Sequence, residues 1–261
     1  MPLGGRSVLA LLLTLVACGG GTPAPRPPEA EPAEAPKAAE PEMRVEGQLG
    51  SIEPREVTRS FAQTEGALRD CHAKGLERIR FLGGEIKVVL RIGEDGRARY
   101  GWFEDTTLGD HETETCMMHL FLEATWPKPR GGEAEVRSSF AFDPPPGTTV
   151  PEPRSSDAVA QQLVEHHAKI TACKKSPDEV YRATAYVMDA GGKKPAGRPR
   201  GKPKKGKATP AKPPPLHGKV LAVGIAPPGP ERDEAVECLT RIVLTLKVES
   251  AKAPGKVTFS L

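Results

Sequence analysis

The chain has 261 residues, a formal net charge of +3, and 28 prolines and 27 glycines that cluster rather than spread. This length suits one or two domains. A balance so near neutrality gives no electrostatic argument for nucleic acid as a partner.

The amino terminus and Arg6 precede an apolar run from Val8 to Ala17. The run is shorter than the ~20 residues a bilayer-spanning helix needs, and it has the length of a secretory-signal core. It ends in Leu15-Val16-Ala17-Cys18, followed by three glycines. This tetrapeptide resembles the lipobox of bacterial lipoproteins. The resemblance implies a signal peptide over 1–17, acylation of Cys18, and a mature protein held at a membrane by its N-terminal lipid. Several acyl chains, at ~0.8 kcal/mol per buried methylene, make such an anchor stable. It would face the periplasm of the cell envelope. Gly19 stands where an inner-membrane retention aspartate is absent, which favours the outer membrane.

Residues 18–46 are mostly Pro, Ala and Glu, a composition for an extended tether of at most ~3.1 Å per residue. Two regions with core-forming patterns follow, 47–143 and 156–261, separated by a Pro-rich linker at 144–155. Inside the second lies an insertion, 191–215, with nine Lys or Arg and no acid. Interleaved with Pro and Gly, it has nothing to bury and is expected to be disordered.

Setting Cys18 aside leaves Cys71, Cys116, Cys173 and Cys238, two per region. An even count in an oxidising compartment points to disulfides. Pairing within each region is one of three connectivities, and it respects the domain boundary.

The two regions read as copies of one unit. Val57, Phe61, Leu68 and Cys71 have helical spacing, as do Val159, Leu163, Val164, Ile170 and Cys173. Strand-like segments follow at 85–92 and 180–187. Glu94-Asp95-Gly96 predicts a tight hairpin in copy one, and the matching place in copy two opens into the basic insertion. Gly96 to Cys116 aligns with Gly218 to Cys238, each spanning a strand, a turn and an acidic stretch before a cysteine-bearing helix. Alternating segments at 136–142 and 256–261 close the copies. The expectation is an α+β fold: two small tandem domains, each helix-strand-strand-helix-strand, with two helices on one face of an antiparallel sheet. The second copy is the more divergent.

Copy one, over 48–143, resembles the C-terminal domain of TonB-type proteins. More closely, it resembles the paired-cysteine form in the AgmX/PglI C-terminal family of myxobacterial gliding-motility proteins. Leu68 and Cys71, Gly84-Glu85-Ile86-Lys87-Val88, Ile92 through Arg97, Thr106 through Asp110, Glu114-Thr115-Cys116, Thr125 through Pro129 and Ser139 through Phe142 carry the resemblance. It implies an α+β domain with a disulfide and a role in envelope protein contacts, without catalysis or a cofactor. The expected partner is an unidentified envelope protein, bound by strand addition near Phe140 and Phe142 or near Phe259–Leu261. Trp102, just before a loop, is a further candidate contact. Trp126 and Phe140 are expected to fill the core.

Two other readings compete. Lys202, Lys204 and Lys205 of the basic insertion suit a cell-wall or other anionic polymer. Cys71, His72, Cys116 and His119 have the chemistry of a Cys2His2 zinc site, which disulfide formation would preclude. No Gly-rich phosphate loop, nucleophile elbow or Glu-x-x-His motif is present.

Overall fold

A computed structural model describes residues 49–189, 216–249 and 253–261. From Val45 onward they belong to one compact unit, a mixture of helices and largely antiparallel sheets and so an α+β fold.

The first half begins with α1 (Pro54–Arg78), which has proline at its first position. That residue lacks the N–H that a first turn leaves unused. Phe61, Leu68, Cys71 and Gly75 form the buried stripe of α1, recurring at three-, four- and seven-residue steps as an amphipathic helix requires. At Gly75 α1 passes close to its neighbours: a Cβ there would collide with the Thr113 hydroxyl and Leu82. Strands β1 (Gly84–Ile92) and β2 (Ala98–Thr106) form the hairpin around Gly96, whose φ of +80° is left-handed and suits glycine. Helix α2 (His111–Glu123) starts at Asp110, whose carboxylate accepts from the Thr113 N–H at 3.3 Å. Strand β3 (Ala134–Phe142) then returns to the far side of β1, giving the order β2-β1-β3.

The second half repeats this order with additions. Helices α3 (Asp157–Glu165) and α4 (His167–Cys173) occupy the place of α1. Where one helix was expected, the chain breaks at His166, whose Nδ1 hydrogen-bonds the Gln162 carbonyl at 3.0 Å. Strands β5 (Arg182–Asp189) and β6 (Leu216–Ala226) make the hairpin, α5 (Asp233–Val243) carries the second cysteine, and β8 (Gly255–Ser260) lies on the far side of β5. Two short strands widen the sheet to the order β4-β8-β5-β6-β7: β4 (Glu152–Arg154) and β7 (Lys247–Glu249). Strand β4 lies in the stretch expected to be a linker, and it runs parallel to β8, so this sheet is mixed.

Each half has its own apolar cluster under its helices. Leu68, Ile86, Val88, Leu90, Met117, Phe121 and Trp126 anchor the first; Val159, Ala183, Ala185, Val223, Leu239, Val243 and Phe259 anchor the second. Full burial of each large side chain contributes roughly 1.5–3 kcal/mol. Trp126 is 3% exposed and donates from its indole N–H to the Phe121 carbonyl at 3.0 Å. The cysteines close within each half, Cys71–Cys116 between α1 and α2 and Cys173–Cys238 between α4 and α5.

Candidate functional site

Strand β3 is an edge. Among the described residues its only strand partner is β1, with Gly84 opposite Phe142 and Ile92 opposite Ala134. The described residues ahead of α1 pair across Ser51 and Arg130, and the Gly50 N–H donates to the Glu133 carbonyl at 2.8 Å, next to the start of β3. Alternation directs Val136 and Phe142 into the core with Phe140 half-buried. The Phe140 ring sits 5.8 Å from Phe61 and 5.6 Å from Phe121, and Phe142 lies 5.2 Å from His72. The rings of β3 therefore serve the fold. What the strand presents outward is backbone, flanked by exposed Arg137, Ser139 and Ala141. Arg137 pairs with Glu104 at 2.7 Å and Glu135 at 2.8 Å. An edge of this kind is a template for another strand, with affinity from main-chain hydrogen bonds and selectivity from alternate side chains.

The corresponding strand of the second half is covered along its first three residues, and β4 does not reach the Phe259–Leu261 end. Residues 152–154 pair with 255–257 of β8, and the Glu152 N–H donates to the Pro254 carbonyl at 2.9 Å. Pro153 within β4 suits an outermost strand, where a missing donor does no harm.

Trp102 is half-buried on the face of β2 away from the helices, opposite Val89 and 6.1 Å from Tyr100. It lines a cleft of about 350 Å3 between the halves, with Met118 and His119 of α2 and Ile225 and Glu237 on the other wall.

His72 is buried, its Nε2 3.0 Å from the Leu82 carbonyl, while His119 is exposed. With Cys71 bonded to Cys116, the zinc set Cys71, His72, Cys116 and His119 has no thiolates to offer a metal. No metal-competent group of three His, Cys, Asp or Glu side chains occurs among the described residues. Cys18, Lys202, Lys204 and Lys205 lie outside the described residues.

The sequence reading did not anticipate the contact between the halves. The face of the second sheet away from its helices carries Thr184 and Tyr186 of β5, Ala222 and Gly224 of β6, and Lys256 of β8. The first half packs onto it. The Tyr186 hydroxyl accepts from the Gly83 N–H at 3.0 Å and donates to the Gly83 carbonyl at 2.7 Å; Lys256 Nζ donates to the same carbonyl at 2.6 Å. Thr184 donates to the Thr106 carbonyl at 3.2 Å, and Arg182 pairs with Asp105 at 2.9 Å. Burial pushes the Tyr186 phenol up to about 12, and it pulls the Lys256 ammonium down to about 8 against the opposing charge of Glu114.

Glu114 of α2 lies in this joint, 3% exposed. Its Oε1 accepts from the Thr106 hydroxyl at 2.6 Å and the Gly109 N–H at 3.1 Å. Burial pushes its carboxyl up to about 7, more than these hydrogen bonds pull it down. A Cβ on Gly224 would run into this carboxyl group. One signal for the joint was present: Ala183 through Val187 and Ala222 through Ala226 are short, mostly small-residue runs without polar alternation, and both are buried throughout. Strands covered on both faces read this way.

No helix among the described residues is long and apolar enough to cross a membrane. Compared with protein-family models, with curated proteins and with solved structures, the chain matches none of them.

Proposed function

We propose that this is a non-enzymatic cell-envelope lipoprotein. It is lipidated at Cys18, tethered by residues 18–46, and binds a partner protein in the periplasm by accepting a strand at the outer edge of β3. The halves act as TonB-like domains with unequal duties, the first receiving the partner and the second bracing it. The observation that carries this reading is the contrast between the edges: β3 has no outer strand among the described residues, and β8 has β4. The Cys71–Cys116 bond supports it by holding both helices over the sheet whose edge is offered.

The test is site-specific photocrosslinking of the full-length protein in its own envelope. A photoreactive residue replaces Ser139 on β3 or, as control, Thr258 on β8 beside the end of β4. The expected result is a discrete protein adduct from position 139 and none from 258. Equal adducts from both positions, or none from 139, contradict the proposal.

A further inference from the structure

We propose that Glu114 makes the joint between the two halves a pH-sensitive latch, tight while its carboxyl is protonated and loosened when it ionises. The geometry comes first. Glu114 belongs to the first half, yet its carboxyl lies against the Gly224 backbone of the second, where even a methyl group has no room. Both donors that reach it, the Thr106 hydroxyl at the end of β2 and the Gly109 N–H just after it, come from the stretch that itself docks on β5. The same stretch supplies the Thr106 carbonyl to Thr184, and a Cβ on Gly109 would sit 3.1 Å from the Thr184 carbonyl oxygen. A charge on Glu114 therefore bears directly on the contacts that hold the halves together.

Among the described residues no cation is bonded to that charge, and the facing Lys256 ammonium is spent on the Gly83 carbonyl. At the N-cap of its own helix Asp110 adds repulsion and is itself held by Arg78 of α1. His111 begins the helix and shares the adjoining cleft. From β8 comes Lys256, whose ammonium donates to the Gly83 carbonyl and lies 5.1 Å from the Tyr186 ring centre. From β5 comes the Tyr186 phenol, engaged with Gly83. Across the cleft α5 presents Asp233, Glu234 and Glu237, all acidic. Burial without a bonded cation favours the neutral carboxylic acid.

The sign follows from linkage. A carboxyl whose value in the closed joint lies above its value in the open one binds its proton more tightly when closed. Below the open-state value of 4.5 it imposes no penalty; the joint weakens as pH rises from there to about 7, and the penalty is constant above.

The experiment is amide hydrogen exchange on the intact chain between pH 5.5 and 8, corrected for intrinsic rates and followed at residues 106–110 and 220–226. The wild type is expected to show opening of these segments increased on the order of tenfold across that range, with the β1 amides at 88–92 unchanged. Glu114→Gln keeps an oxygen for both donors and should remove the dependence. A slope that survives in Glu114→Gln would assign the effect to His111 or another group and overturn the proposal. Should that variant not fold, the carboxyl 13C titration of Glu114 in the wild type decides: a midpoint near 7 supports the latch and a midpoint near 4.5 refutes it.

Discussion

The two sheets share an order, with the first strand of each half at the centre, yet they face different surroundings. The first sheet has helices on one face and charged pairs on the other: Lys87 with Asp105, Arg91 with Glu133, Arg137 with Glu104. The second has helices on one face and the first half on the other. Its edge strands are β4 and β7, three residues each, and short edges discourage pairing. Among the described residues the first half thus leaves the outer side of β3 without a strand, while the second sheet supports the first half on one of its faces. Repetition of a fold does not repeat its exposed chemistry, because two or three added residues such as those of β4 decide which backbone is available.

The comparison can be broken at the shared staples first. Replacing both cysteines of either pair by alanine is expected to lower unfolding free energy by about 4 kcal/mol, the loop-closure scale for cross-links of this span. Denaturant titration measures it, and a small loss in one half alone would show that the halves are not stapled alike. Next are Met117 and Leu239, which directly follow the second cysteine of each copy and are 0% exposed. Alanine at either should cost about 2–5 kcal/mol; calorimetry of the two variants would reveal any asymmetry between the cores.

Smaller effects separate the faces. Glu114→Gln is expected to stabilise the protein by about 3 kcal/mol at pH 8 and to leave it nearly unchanged at pH 4.5. That sign follows from a carboxyl raised in the native state; greater loss of stability at high pH in the variant would contradict it. Arg137→Ala on the open face of the first sheet should cost less than about 1 kcal/mol, because its ion pairs are solvated. A larger loss in thermal denaturation would mean that this face is structural rather than free.

Much of this fold was legible. Phe61, Leu68 and Cys71 mark α1 by spacing; Glu94-Asp95-Gly96 marks the hairpin; cysteine placement within two similar units anticipates both bonds. Local patterns carry such information because they are set by periodicity and turn geometry. What escaped depended on contacts distant along the chain. Strand β4 follows a proline cluster and contains Pro153, so its sequence resembles a linker; only β8, a hundred residues later, makes it a strand. The interruption at His166 interrupts no hydrophobic spacing. Glu114 occupies the first turn of α2, where an acid is ordinary, and nothing local shows that Gly224 will bury it. Phe140 and Phe142, expected as partner contacts, lie on β3, but their rings pack under the helices.

The most direct test of the open-edge account places proline at Arg137 and, separately, at Ser138, with the Ser139 photocrosslinker present in each. Neighbouring residues direct their N–H groups to opposite sides of a strand, so one variant removes a donor from the β1 ladder and the other removes one from the free edge. The account predicts that the variant retaining wild-type stability loses the partner adduct. A stable variant that still forms the full adduct would contradict it.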